Sequence, residues 1–257
     1  MAAWLAVACF SCCTWFAFDA AAERLPATWL QRLGVKSGTE LFIPNLAHHI
    51  LSGVGAMLVW ASEAGADVGQ PERSFLCMPA ISDLAELLPQ VTLGYGLHDL
   101  VYGIRTGQAS FWMHGCLHCG FFGCVCYLGV AHHTVRILVA NVSTIFLVLR
   151  RWNLGLSGNL CVDLAFVFTF AILRLVVLPI WWVRFLRYGR RVDLEASWGP
   201  CMHHGVLALA LWGGIALHAL NLYWFLHICK RTVTKLRGLE PRVRSGRGTD
   251  DDPGLLR

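Results

Sequence analysis

The chain has 257 residues, a formal net charge of +5, a mean hydropathy of +0.54 and only 14% charged residues. A water-soluble domain carries about 25% charged residues, so this composition excludes an ordinary soluble protein. It indicates a chain whose apolar segments, each about 20 residues long, cross a bilayer.

Seven apolar stretches follow one another along the chain. They cover residues 4–18, 42–61, 84–104, 111–131, 135–149, 160–183 and 206–228. Backbone groups in hydrocarbon must bond within their own segment, and the chain lacks the alternation typical of barrel strands. The sequence therefore predicts an all-α fold, a polytopic membrane bundle of six to seven transmembrane helices. The fifth stretch is short unless residues 132–135 extend it.

Three regions are predicted. Residues 1–40 hold the first transmembrane helix and a cytosolic loop, residues 41–231 form the membrane domain, and residues 232–257 form a basic, disordered cytosolic tail. This tail is polar and rich in Gly and Pro, so it has little apolar surface with which to fold. The first stretch lacks the basic leading residues of a cleavable signal, which favours an uncleaved helix; cleavage is the alternative and would leave six crossings.

Cysteines are frequent, at 11 in the chain. Most lie within apolar stretches, where cysteine serves as a small hydrophobic residue. The spacing of Cys116, Cys119, Cys124 and Cys126 on one predicted helix does not converge on a tetrahedral zinc site. No metal and no cofactor is therefore expected.

Polar residues inside the apolar stretches are the candidates for function, because each costs free energy in hydrocarbon. His114 and His118 are four residues apart and share a helix face. His98 adjoins Asp99, which could orient an imidazole for general-base chemistry. The candidate site comprises His48, His98, Asp99, His114, His118, Asn141 and Arg174.

An alternative interpretation of the same residues is purely structural. Arg174 is expected to point into the bundle toward an acidic or carbonyl partner, with Asp99 as the first choice, so that two buried charges neutralise each other. The histidines would then bond to the backbone or to each other.

Six segments, in this order, resemble the TLC-domain family of membrane proteins, which includes the ceramide synthases. They read NLAHHILSGVGAMLVW, GYGLHDLVYGI, MHGCLHCGFFG, NVSTIFLVLRRW, FAILRLVVLP and LNLYWFLHICK. The resemblance covers residues 42–231 and is strongest at STIFLVLRRW. It implies a helical bundle with a membrane-facing cavity for lipid, and a role in membrane lipid homeostasis.

The chain also departs from the family pattern. His114 is followed by Gly115 where the family often has a second histidine, and Asn141 and Val142 stand where small TLC proteins usually carry an acidic residue. The His-Asp pair and acidic residues of the ceramide-synthase signature are missing from the fifth stretch. The resemblance thus favours a branch other than the ceramide synthases.

Two classes of function stay open. In the first, the protein binds or senses a membrane lipid, or escorts a partner, without chemistry of its own. In the second, it is an acyl-CoA-dependent lipid acyltransferase of ceramide-synthase type, with His114 as general base, His118 or His98 assisting and Arg174 on a phosphate or carboxylate. The missing synthase residues favour the first class.

The expected partners are membrane lipids, and a membrane-protein partner or a homodimer is compatible with the sequence. Nucleic acid is not expected, because the positive charge lies largely in the tail, where topology and anionic lipid account for it. The family resemblance suggests the endoplasmic reticulum, with the plasma membrane or another organelle second.

The distribution of basic residues predicts the topology. The carboxyl-terminal segment is rich in Lys and Arg, which places it in the cytosol, and counting back places the acidic loop around residues 65–69 on the lumenal or outer side. The four arginines in residues 184–191 disagree with this count, unless an interfacial helix holds them at the membrane surface. In intact microsomes, whose cytosolic face is outside, added protease should remove an epitope from the tail. Removal only after the microsomes are opened contradicts the assignment.

Overall fold

A computed structural model describes residues 2–26, 28, 42–66, 82–127, 129, 131–150, 155–194 and 204–236. Every regular element in these ranges is helical, which confirms the predicted all-α class. The acidic loop around residues 65–69 lies mostly outside these ranges, as does the tail beyond residue 236.

Nine α-helices lie in the described ranges. They are α1 (Ala2–Glu23), α2 (Phe42–Ala66), α3 (Asp83–Thr106), α4 (Ala109–Tyr127), α5 (Val135–Leu138), α6 (Asn141–Leu149), α7 (Gly155–Phe170), α8 (Leu178–Leu194) and α9 (His204–Leu236). A 3-10 turn, Ala131–Thr134, precedes α5, and a π-helical stretch, Ala171–Val177, joins α7 to α8.

Two continuous stretches among the described residues are long and apolar enough to cross a membrane, Ala3–Glu23 and Leu160–Arg187. The pair Ala131–Leu138 and Asn141–Leu149, bent by 41° at its break, adds a third if it forms one span. The larger number of six to seven spans stays a prediction.

Several predicted boundaries differ from the structure. The first helix runs beyond residue 18 to Glu23, and α9 continues past residue 232 to Leu236. The stretch predicted as one helix over residues 135–149 is broken into α5 and α6, and residues 131–134 extend it at the front as a 3-10 turn. The pattern of apolar residues locates a helical segment, but it does not show where the backbone hydrogen bonding changes from one helix type to another.

Helix α3 occupies the centre of the bundle and packs against α1, α2 and α4. Its first turn is capped by Ser82, whose side chain accepts a hydrogen bond from the Ala85 amide, and it ends at Gly107 in the left-handed conformation (φ 70°). Most of its middle is buried, including His98 and Asp99. The helix that carries the most polar candidates is therefore the one most enclosed by its neighbours.

Glycines let the helices approach closely. A Cβ atom at Gly94 of α3 would lie 2.5 Å from the Ala8 carbonyl oxygen and 2.5 Å from Ser11 Cβ of α1. At Gly115 of α4 it would lie 2.4 Å from the Leu100 amide nitrogen of α3. Small residues at helix contacts are the usual device by which membrane helices pack, because van der Waals contact replaces the hydrophobic effect there.

Substitution of Gly94 tests the contact between α1 and α3. Gly94→Ala should destabilise the folded protein by about 1–3 kcal/mol, because the added methyl group overlaps the backbone of α1. Gly120→Ala is the matched control, since a Cβ atom there meets nothing within 4 Å, and it should be neutral or stabilising. Thermal unfolding in detergent measures both; equal melting temperatures for the two variants contradict the packing.

Candidate functional site

Five ionisable side chains from three helices meet near the middle of the bundle. They form what we call the histidine–carboxylate cluster: Asp19 of α1, His98 and Asp99 of α3, and His114 and His118 of α4. Four of the five were candidates from sequence. The packing of α1 and α4 on either side of α3 brings them together.

Asp99 holds His114. Its Oδ2 lies 2.7 Å from His114 Nδ1, and its side chain is 3% exposed while that of His114 is 45% exposed. An ionised carboxylate only accepts hydrogen bonds, so Nδ1 of His114 donates, and Nε2 carries the lone pair when the ring is neutral. His118 stands beside it, with the two Nδ1 atoms 3.3 Å apart. This arrangement is a carboxylate-oriented imidazole with an open face.

The carboxylate that bonds to His98 is not that of its sequence neighbour, Asp99. Its Nε2 bonds to Asp19 Oδ2 of α1, while its Nδ1 lies 3.4 Å from Asp99 Oδ1. Successive residues on a helix point about 100° apart, so Asp99 reaches across to α4 more readily than back to its neighbour. Asp99 does lie against His98, as expected, but the hydrogen bond of His98 is to Asp19, and that of Asp99 is to His114.

Aromatic rings enclose the cluster on the side of α2. His48 stacks on Tyr95, with ring centroids 3.9 Å apart and planes within 2°, and Trp15 contacts both edge-on. Tyr95 also stacks on His98. His48 is thus a buried part of the wall beside the cluster and makes no ion pair among the described residues.

Arg174 forms a second group of polar contacts. Its Nε donates to Ser143 Oγ at 2.9 Å, and its Nη2 donates to Thr144 Oγ1 at 2.9 Å and to the Ala140 carbonyl at 3.3 Å. Its Nη1 donates to Asn221 Oδ1 of α9 at 3.4 Å. We call these five residues the arginine cluster. It connects the π-helical stretch to α6 and α9.

The expected pairing of Arg174 with Asp99 is wrong. Asp99 makes its hydrogen bond to His114, and all the hydrogen-bond partners of Arg174 in the described ranges are uncharged. The expectation that the guanidinium points inward to a carbonyl is confirmed at Ala140.

Helix α2 lies between the two clusters. His49 interacts electrostatically with both His114 and Arg174. Asn141, at the start of α6, donates from Nδ2 to Ser52 Oγ at 2.8 Å. Of the seven residues predicted for one site, five therefore belong to one of the two clusters, His48 lies in the aromatic wall, and Asn141 bonds to α2.

Another buried acid is accounted for by a separate ion pair. Asp163 of α7 bonds to Nε of Arg150, which follows α6, and the Arg150 guanidinium also lies 5.3 Å from the centre of the Phe166 ring. Among the described residues, no three His, Cys, Asp or Glu side chains are grouped so that they could hold a metal ion.

Sequence analysis missed Asp19, because the apolar stretch was ended at residue 18. A signal was present in the spacing of α1. Its buried residues recur at helical intervals: Ala8, Ser11, Trp15, Asp19 and Ala22. A carboxylate in that stripe must face the protein.

The geometry can now be set beside known proteins. The family profile described as the TLC domain matches residues 43–230, which is more than half of the chain and contains every candidate site residue except Asp19. No curated protein and no solved structure matches the chain. This chain belongs to the TLC-domain family, which confirms the resemblance. It is accordingly an integral membrane protein of a lipid-related family.

The hydrogen bonds of Arg174 predict a stability difference between two arginines. Arg174→Leu should lower the yield of folded protein and its stability by about 2 kcal/mol or more, because it leaves the buried acceptors of the arginine cluster unpaired. Arg231→Leu, at an exposed position of α9, should change neither. Fluorescence-detected size exclusion and thermal unfolding measure both, and equal behaviour of the two variants contradicts a structural role for these bonds.

Proposed function

We propose that this protein binds a membrane lipid through the two polar clusters and thereby influences membrane lipid composition. The headgroup would meet Arg174 and the open face of His114, with the acyl chains among the apolar helix faces. His49 and Asn141 lie between these two positions. Two observations support the proposal: the chain belongs to a lipid-related family, and its bundle contains buried polar residues that could bind a headgroup.

One observation carries the proposal: Arg174 is a cation among uncharged partners. Placing a charge in hydrocarbon costs at least about 2.5–3.5 kcal/mol at mid-membrane, and hydroxyl and amide dipoles offset part of that cost. An anion would offset more. The Nδ2 group of Asn221 is buried and lacks a hydrogen-bond acceptor within the described ranges; it adds a second donor beside the guanidinium. A phosphate or carboxylate of a lipid headgroup fits this pair of donors.

The cellular setting follows from the family and is part of the proposal. We place the protein in the endoplasmic reticulum, where membrane lipids are made, in the branch of the family other than the ceramide synthases. A homodimer or another membrane protein as partner is compatible with the apolar outer faces of the helices.

Lipid occupancy tests the binding function. Native mass spectrometry of the protein in nanodiscs of phosphatidylcholine with a minor fraction of phosphatidic acid should show retained phosphatidic acid. Arg174→Lys, which keeps the charge but loses the planar fork, should weaken retention about tenfold, and His114→Ala should weaken it by about 1–2 kcal/mol. Arg231→Lys and His227→Ala are matched controls, since His227 bonds only to a carbonyl of its own helix among the described residues. Equal retention by all variants contradicts the proposed site.

The Asp99–His114 pair supports a second candidate, acyl transfer. His114 Nε2 would take the proton from an amine or hydroxyl of the acceptor as that group attacks the acyl-CoA thioester. The amide or ester bond forms, the carbon–sulfur bond breaks, and the CoA thiolate leaves and is protonated. The buried Asp99 would hold the imidazole in the required tautomer, and an oxyanion would need donors of the kind that Arg174 offers.

An assay of purified protein distinguishes the two candidates. Long-chain acyl-CoA is offered with a sphingoid base or a lysophospholipid, and product is followed by mass spectrometry. In the binding function no product forms. Product that disappears in His114→Ala, by about a hundredfold or more, and persists in His227→Ala establishes the enzyme instead.

A further inference from the structure

We propose that Asp19, on the helix that precedes the TLC domain, is a positioning residue: it occupies His98 and so leaves Asp99 free to hold His114. The inference rests on the proposed function only in taking His114 as a group that meets the ligand. The match to the family begins at residue 43, so the domain as the family defines it does not include this carboxylate.

Helix α1 is docked on the domain at several points. Ser11 Oγ donates to the Val91 carbonyl of α3 at 3.1 Å, beside the close contact at Gly94. The Phe16 ring lies 4.7 Å from the His98 ring. Asp19 itself is buried, with its side chain 9% exposed and that of His98 4% exposed. The carboxylate is therefore held against His98 by the packing of the whole helix.

Carboxylates and imidazoles alternate along the cluster's chain of contacts: Asp19, His98, Asp99, His114. Each imidazole therefore has a carboxylate neighbour, which is how buried polar groups are accommodated in a medium of low dielectric constant. His48 and His49 face these four residues from α2, and His118, the fifth member of the cluster, faces them from α4. These residues add imidazoles and no carboxylate. In the described ranges, Asp19 and Asp99 are the two acids that contact the cluster.

Loss of Asp19 would create a competition. His98 Nδ1 already lies 3.4 Å from Asp99 Oδ1, and neither atom has a hydrogen-bond partner among the described residues. Without Asp19, Asp99 is the one remaining acid that contacts His98 among the described residues. A small movement closes that bond and weakens the hold of Asp99 on His114.

The test reads the reactivity of His114 toward diethylpyrocarbonate, mapped by mass spectrometry on the full-length protein in detergent. The Asp99 carboxylate makes Nε2 of His114 more nucleophilic. In Asp19→Asn the rate at His114 should fall about tenfold, the factor that corresponds to one charge-assisted hydrogen bond. In the double variant with His98→Phe the rate should return, because the competitor for Asp99 is gone. His227 in the same molecule serves as the internal reference.

A purely structural role for Asp19 gives another pattern. The double variant would then be no better than Asp19→Asn, or His114 would keep its rate in folded Asp19→Asn, and either result overturns the proposal. Asp163→Asn, a buried acid in a separate ion pair, is the matched control and should leave His114 unchanged. Should Asp19→Asn fail to accumulate, Asp19→Ser takes its place with the same outcomes. Lipid retention is measured separately, so loss of lipid binding with an intact His114 pattern counts against the proposed function alone.

Discussion

A charged side chain inside hydrocarbon has no water to bond with, so it must find its partner on another helix. In this protein each buried charge bonds to a partner on another element and so connects the two elements. Asp19 joins α1 to α3, Asp99 joins α3 to α4, and Arg174 joins the π-helical stretch to α6 and α9. The ion pair of Asp163 joins α7 to the end of α6. These contacts determine which helix faces meet, because apolar faces alone can pack against one another or against lipid with little preference.

Close packing lets the polar contacts form. Gly94 and Gly115 bring α1 and α4 close to α3 on its two sides, and the reach of an aspartate side chain is short. The wall of His48, Tyr95 and Trp15 then excludes lipid from one side of the histidine–carboxylate cluster. His114 is left half-exposed, and it is the member of the cluster with room for a ligand. The same packing arrangement therefore buries Asp19 and Asp99 and leaves His114 exposed.

The two clusters suit different tasks. In the arginine cluster, fixed donors surround a permanent cation, and the π-helical turn that carries it is of a kind frequent at functional sites. In the histidine–carboxylate cluster, each group can gain or lose a proton. The His49 imidazole, on α2, interacts with both. A lipid whose headgroup is anionic and whose ester or amide region is polar would match this pair of environments better than an apolar molecule would.

The sequence by itself determined that the chain lies in a lipid bilayer, that its fold is all-α and that it belongs to the TLC-domain family. Apolar stretches of about 20 residues admit only helices in lipid, and six ordered segments identified the TLC domain. It also singled out seven polar candidates, because a polar residue in such a stretch must face inward; five of them belong to the two clusters, His48 lies in the adjacent aromatic wall and Asn141 bonds to Ser52 of α2. The pairings were decided only by the tertiary structure. Asp99 bonds to His114 and not to Arg174, and Asp19, which lies outside the family domain, bonds to His98. The partner of a buried charge depends on which helices pack together and at what register, and a linear sequence records neither.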